Sequence, residues 1–183
     1  MGALVASVPA LAAPRRLLAA AGHAVAGRTP AAASATDPRA LDFFHTHTGE
    51  RLDVEYFDGT RYLPDALTTV DHFLRDFRTG DIHPIDPALL DLLHGLTDRT
   101  RTGRPFEVIS GYRSPATNEM LRHRSEGVAR NSLHMQGKAI DIRLADVSLA
   151  RLRNAALDIR RGGVGYYPAS DFVHVDTGRV RTW

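Results

Sequence analysis

Two short stretches of the chain hold side chains that could do chemistry together. The first runs Ser132-Leu133-His134-Met135-Gln136-Gly137-Lys138-Ala139-Ile140-Asp141, and the second runs Asp171-Phe172-Val173-His174-Val175-Asp176. Cysteine is absent, so a thiol nucleophile, a disulfide and a thiolate-bound metal are all excluded, and any metal site must use imidazole and carboxylate. Two imidazoles and one carboxylate are the donor set of a catalytic zinc site, with three protein ligands and a fourth position open to water. Neutral imidazoles and one carboxylate leave the ion a net positive charge, enough to acidify a water and polarise a carbonyl. His134, Asp141 and His174 are the candidates. Each also has a plainer reading: His134 as a loop histidine, Asp141 as the ion-pair partner of Arg143, and His174 as a hydrogen-bonded core histidine.

The elements around these residues follow from pattern. Residues 138–144 alternate, with Ile140, Ile142 and Leu144 on one face and Ala139, Asp141 and Arg143 on the other. A carboxylate between apolar residues in such a strand is costly without a cation. Residues 164–167 and 172–176 are the last two strands, joined by Pro168-Ala169-Ser170. Upstream, residues 41–44 and 53–56 form a hairpin turning at 48–50. Pro64 opens a helix with Leu67, Val70, Leu74 and Phe77 on its buried stripe, and Asp86-Pro87 caps a second helix carrying Leu89, Leu92, Leu93 and Leu96. Residues 106–109 are a short buried strand leaving through Ser110-Gly111-Tyr112-Arg113. Ser114-Pro115 caps a helix to about Arg124, residues 125–133 are a loop, and Ser148 caps a helix that Gly162-Gly163 ends. This order predicts an α+β domain over residues 41–183: a small antiparallel sheet with helices packed on one face and the zinc site at the sheet.

These residues also carry a resemblance. Ile109-Ser110-Gly111-Tyr112-Arg113-Ser114, the 132–141 stretch, Gly162-Gly163-Val164-Gly165-Tyr166-Tyr167-Pro168 and Phe172-Val173-His174-Val175-Asp176-Thr177-Gly178, ending at Trp183, together resemble the zinc D-Ala-D-Ala carboxypeptidase family. That family also takes in VanX-type dipeptidases and murein endopeptidases, and the match is to its YcbK/MepK-like branch. His47-Thr48-Gly49-Glu50 fits the first hairpin of that branch. The resemblance implies zinc held by His134, Asp141 and His174, and hydrolysis of peptidoglycan peptide bonds involving D-amino acids. It implies an oxyanion-stabilising role for Arg113, where a fixed cation would hold charge developing on the carbonyl. The carboxypeptidase relatives carry Glu three residues before the last ligand; here that position is Asp171, the preferred general base. Asp176, two residues beyond His174 on the same face, is the alternative, either as base or as the carboxylate that orients the imidazole. A different class remains open too: a non-catalytic zinc-containing module that binds peptidoglycan or a protein partner. Tyr112, Tyr166 and Tyr167 are candidates for the cleft wall, while His72, His94 and His123 read as solvated helix residues.

Composition sets the outer bounds. With 183 residues, 43% of them hydrophobic, the chain suits one domain. The sequence pI is about 9.3, but residues 1–35 hold Arg15, Arg16 and Arg28 and no acid, leaving 20 basic against 21 acidic residues in the remainder. The basic balance therefore belongs to the leader and gives no reason to expect nucleic-acid binding. The leader, residues 1–35, combines paired arginines, an apolar stretch and a small-residue run at 31–35, the parts of an export signal and compatible with a twin-arginine type; the other reading is a disordered Ala/Pro-rich leader without targeting value. The expectation is an exported, monomeric enzyme of the periplasm or cell wall, with peptidoglycan stem peptides as substrate.

Overall fold

A computed structural model describes residues 37–124 and 127–183; the leader expectation for residues 1–35 lies outside them. Strand β1 (Arg39–His45) pairs antiparallel with β2 (Arg51–Phe57), which is the predicted hairpin lengthened at both ends. Helix α1 (Pro64–Phe73) has proline in its first turn and ends at Leu74. Phe77 thus falls beyond the helix, although the helical stripe in the sequence ran through it. Helix α2 (Pro87–Thr100) is capped by the Asp86 carboxylate, which accepts from the Ala88 N–H, and its four predicted stripe leucines are all buried. Strand β3 (Phe106–Ser110), helix α3 (Pro115–Arg124), strand β4 (Ala139–Arg143), helix α4 (Leu149–Ile159), strand β5 (Gly163–Tyr167) and strand β6 (Phe172–Asp176) follow in the predicted order.

The α+β class holds, but the sheet is neither small nor purely antiparallel. Seven strands run in the order β2-β1-β3-β4-β6-β5-β7, where β7 is Arg181–Thr182. The β1/β3 and β5/β7 pairs are parallel and the others antiparallel. The difference has two causes. The first hairpin joins the main sheet through β1, because the chain between β2 and β3 passes through α1 and α2 and returns in the same direction. Arg181–Thr182, too short to show any period, form an edge strand on β5.

Register sorts the central strands into two faces. Ile140 and Ile142 stand opposite Val175 and Val173, and Val164 stands opposite Val175. This layer is buried, with α4 against β5 and β6 and α2 against α4. The other face of the same strands presents Asp141, His174, Gly165, Tyr167 and Phe172. A strand covered on both sides positions side chains rigidly, and that is where polar groups meet.

Candidate metal centre

His134 is delivered by a single 3-10 turn, Leu133–Gln136. The Ser132 hydroxyl caps it by accepting from the His134 N–H. Gly137 ends it with φ +65°, where a side chain would run into the Pro84 carbonyl, and turns the chain into β4. The neighbouring turn is tied to this one: the Arg113 N–H donates to the His134 carbonyl at 3.2 Å, and the Tyr112 N–H donates to the Leu74 carbonyl. Asp76, buried beneath, accepts from the Ser114 and Arg78 N–H groups. Burial pushes its carboxyl up, but hydrogen bonds from the Thr117 and Ser114 hydroxyls and those amides outweigh it and hold the pKa below the ordinary value.

Asp141 and His174 are direct cross-strand partners in the β4/β6 register. The His174 Nδ1 lies 2.9 Å from Asp141 Oδ1 and 3.1 Å from His134 Nε2, and His134 Nε2 lies 3.3 Å from Asp141 Oδ1. All three residues are buried. The outer nitrogens settle the tautomers. His134 Nδ1 is 2.8 Å from the Gly111 carbonyl, which only accepts, so this nitrogen carries hydrogen. His174 Nε2 is 3.0 Å from Asp176 Oδ2, a carboxylate that also accepts. His174 Nδ1 also faces a carboxylate, Asp141, and carries a hydrogen while the ring is protonated; once neutral, both inner nitrogens turn lone pairs to each other and to that carboxylate oxygen.

Three lone pairs converging in a buried space repel one another unless positive charge lies between them, as a metal ion or as a proton on His174. Their separations of 2.9 to 3.3 Å match the edge of a tetrahedron of about 3.3 Å around an ion with ligands at about 2.05 Å. The electrostatics agree. Burial opposes charge on Asp141, yet the two imidazoles hold its carboxyl far below the usual range. Burial lowers His174, but the hydrogen bonds and charges of Asp141 and Asp176 override it and raise the imidazole to about 9. At His134 burial wins and the pKa falls, despite Asp141. The centre attracts positive charge, and its donor set of two imidazoles and one carboxylate fits a divalent metal ion.

Asp176 is fully buried and its oxygens are committed. Oδ1 accepts from the Gly163 and Gly178 N–H groups and from Arg181 Nη1, and Oδ2 accepts from His174 and Arg181 Nη2. Of its two expected roles, this geometry matches the orienting carboxylate. Asp171 is the expected general base. It sits at φ +54° on the end of a 3-10 turn (Pro168–Ser170), and its exposed carboxylate pairs with Arg143 at 2.9 Å. The residues on either side of it, Ser170 and Phe172, line the cleft, and Asp171 does not. The left-handed turn ahead of β6 sets its carboxylate beside Arg143 of the neighbouring strand.

The centre opens into a cleft of about 440 Å³. Arg113 lines it, its Nη2 3.6 Å from Asp141 Oδ2 and its buried Nε without a partner among the described residues. Burial pulls this guanidinium down from its ordinary value, against Asp141. The wall is apolar and aromatic: Leu133, Tyr167, Phe172 and Trp183. Of the three tyrosines considered for it, only Tyr167 is there. Tyr112 stacks on His83, and Tyr166 lies under Arg153. His94 and His123 sit beside Asp98 and Glu119 on their helices. Pattern reading missed Asp76, Arg181 and the place of Trp183. The one available signal was that Trp183 is the sole tryptophan.

Comparison with known proteins bears on this geometry. The family described as peptidoglycan L,D-endopeptidase MepK, Peptidase_M15_2, matches residues 33–183. The chain is 47% identical over 174 residues to the peptidoglycan L,D-endopeptidase MepK of Escherichia coli K12, covering 92% of this chain and 96% of that protein. The Shigella flexneri protein of the same name matches at the same level. A probable peptidoglycan L,D-endopeptidase MepK of Haemophilus influenzae is 46% identical over 151 residues, 82% of this chain and 81% of the relative. With a buried His-Asp-His centre at the foot of an aromatic cleft and a family match spanning every described element, the chain belongs to the Peptidase_M15_2 family of peptidoglycan L,D-endopeptidases.

Proposed function

We propose that this protein is a zinc-dependent peptidoglycan endopeptidase that hydrolyses cross-link peptide bonds involving a D-amino acid, L,D bonds first among them. The convergence of three lone pairs from His134, Asp141 and His174 carries the proposal, because it calls for a cation in a site that opens to a substrate-sized cleft. The names of the relatives supply the substrate class. When bound, the ion supplies an acidified water and a Lewis acid for the scissile carbonyl.

The chain's own residues do the rest. His134 and His174 are locked in one tautomer by Gly111 and Asp176, so no reorganisation is needed during reaction. Arg113 stands beside Asp141 and lines the cleft, where it holds the charge that develops on the carbonyl oxygen. Phe172, Leu133 and Trp183 line the cleft with apolar surface beside that interaction. All three metal ligands come from one chain, so a monomer suffices. Peptidoglycan lies outside the cytoplasmic membrane, which fits an exported protein, and among the described residues no helix is long and apolar enough to cross a membrane.

Mass spectrometry of a cross-linked muropeptide digest, incubated with metal-loaded protein with and without chelator, tests the proposal. Loss of cross-linked dimers and gain of monomers, abolished by the chelator and restored by zinc, is the expected result. Intact dimers under varied pH and zinc would leave only a binding module.

A further inference from the structure

One wall of the cleft is built by the end of the chain. Strand β7 lies along β5, the Tyr166 N–H donating to the Trp183 carbonyl and the Trp183 N–H to the Val164 carbonyl. This pairing lays the indole over Gly165, where an added Cβ would come within 2.8 Å of the ring. On its other sides the ring meets His174, with centroids 5.2 Å apart, and the Arg181 guanidinium at 4.7 Å. The indole is thus fixed against a proposed metal ligand by contacts on three sides, although it belongs to the last residue. Its one polar atom has a single partner: Nε1–H donates to the Tyr167 hydroxyl at 2.6 Å.

That bond has a direction. An indole nitrogen only donates, so the Tyr167 oxygen accepts, and the phenol must send its own proton elsewhere. Conjugation keeps a phenol O–H near the ring plane, with two orientations; the indole hydrogen occupies one side and disfavours it. The ring plane is itself fixed by stacking on Phe172, with centroids 4.6 Å apart and an interplanar angle of 23°. Among the described residues no acceptor takes the Tyr167 proton, while Tyr167 lines the cleft on the face of the sheet that carries His174 and Asp141. Arg113 lines the same cleft. A free, oriented O–H donor therefore shares the cleft with the cation that faces the scissile carbonyl.

We propose that Tyr167 is a second donor to the carbonyl oxygen under attack, acting with Arg113, and that Trp183 is the positioning residue that turns the phenol proton toward it. The assignment rests on the endopeptidase function above and adds two residues to its machinery. The phenol stays protonated throughout: it donates a hydrogen bond that strengthens as the carbonyl oxygen gains charge, and no bond to it is made or broken.

The test uses metal-loaded Y167F, W183F and the double variant on cross-linked muropeptides, with melting temperature and metal content as controls. Y167F should lower kcat by about 100-fold, as loss of one such donor does, and leave KM little changed. W183F keeps a ring over Gly165 but loses the N–H, and should lower kcat by roughly 10-fold through misorientation. In the Y167F background it should cost nothing more, because its effect passes through the phenol. Independently of activity, the emission of Trp183, the sole tryptophan, should shift in Y167F as the indole loses its acceptor. Unchanged kcat in Y167F, a loss confined to KM, losses that multiply in the double variant, or unshifted emission would each overturn the assignment. An active wild type beside an unaffected Y167F defeats this inference alone. A wild type that leaves cross-links whole defeats the endopeptidase function and this inference with it.

Discussion

Replacing Asp176 by asparagine changes one atom and tests how the centre is held. The residue is fully buried, and each of its oxygens already accepts at least two hydrogen bonds. Asparagine can turn its oxygen to the Gly163 and Gly178 N–H groups, and then its NH2 faces the His174 Nε2–H, donor against donor. Turning the amide over restores His174 and sets the NH2 against the two glycine amides. Whichever the protein adopts, a buried clash remains, and the first is relieved only if His174 moves its hydrogen to Nδ1, the atom offered to the metal. Loss of a carboxylate that orients a ligating imidazole costs about 10- to 100-fold in metal affinity, which corresponds to about 1.4–2.7 kcal/mol. Folding stability should fall by about 2 kcal/mol and not by the full cost of a broken buried pair, because the Arg181 side chain is 32% exposed and can turn to water. Competition of wild type and D176N against a chromophoric chelator for zinc reads the first quantity, and urea unfolding of both proteins reads the second. Equal zinc affinity in the two proteins, with D176N folded, would refute the role given to Asp176 and with it the lone-pair argument for His174.

Asp171 makes the opposing case. Its exposed pair with Arg143 contributes at most about 1 kcal/mol, so D171N should retain zinc affinity and turnover of cross-linked muropeptides, and a collapse of kcat would return it to the active site. Zinc itself should stabilise the fold: at a free concentration 100 times the dissociation constant the gain is about 2.7 kcal/mol, and chelation should lower the melting temperature by about 5–10 °C, as read by calorimetry. A pH effect follows from His45, which is fully buried with Nε2 lacking a partner among the described residues. Burial, with His47 and Arg75 adding to it and Glu50 opposing, lowers its pKa to about 4. The unfolded chain, with an ordinary pKa near 6.5, takes up this proton first as pH falls, so the contribution is complete above 6.5 and is lost progressively down to 4. By pH 5 the loss is about 2 kcal/mol. H45Q should show a shallower fall in denaturation midpoint between pH 7 and 5 than wild type, and parallel curves would count against the buried neutral imidazole.

Much of this molecule was legible in the order of its residues, because local physics is written locally. Alternation across 138–144 put Asp141 on the polar side of its strand, Asp86-Pro87 marked a helix start, and the leucines at 89, 92, 93 and 96 faced inward as their spacing required. The donor types were fixed too, since a chain without cysteine can offer a metal little but imidazole and carboxylate. What tertiary structure decided was every relation between distant segments. Spacing could not tell that His134 Nε2 and His174 Nδ1, 40 residues apart, would meet at 3.1 Å, nor which imidazole nitrogen would face inward, because the Gly111 carbonyl and Asp176 make that choice. Of the two aspartates flanking His174 the sequence favoured Asp171 as base, and a single left-handed residue ahead of β6 separated them, setting Asp171 against Arg143 and leaving Asp176 against the imidazole. The three-residue tail carried no period at all. Only its pairing with β5 turned the last side chain of the chain into a wall of the cleft, since a strand that short is held by its neighbour and not by its own pattern.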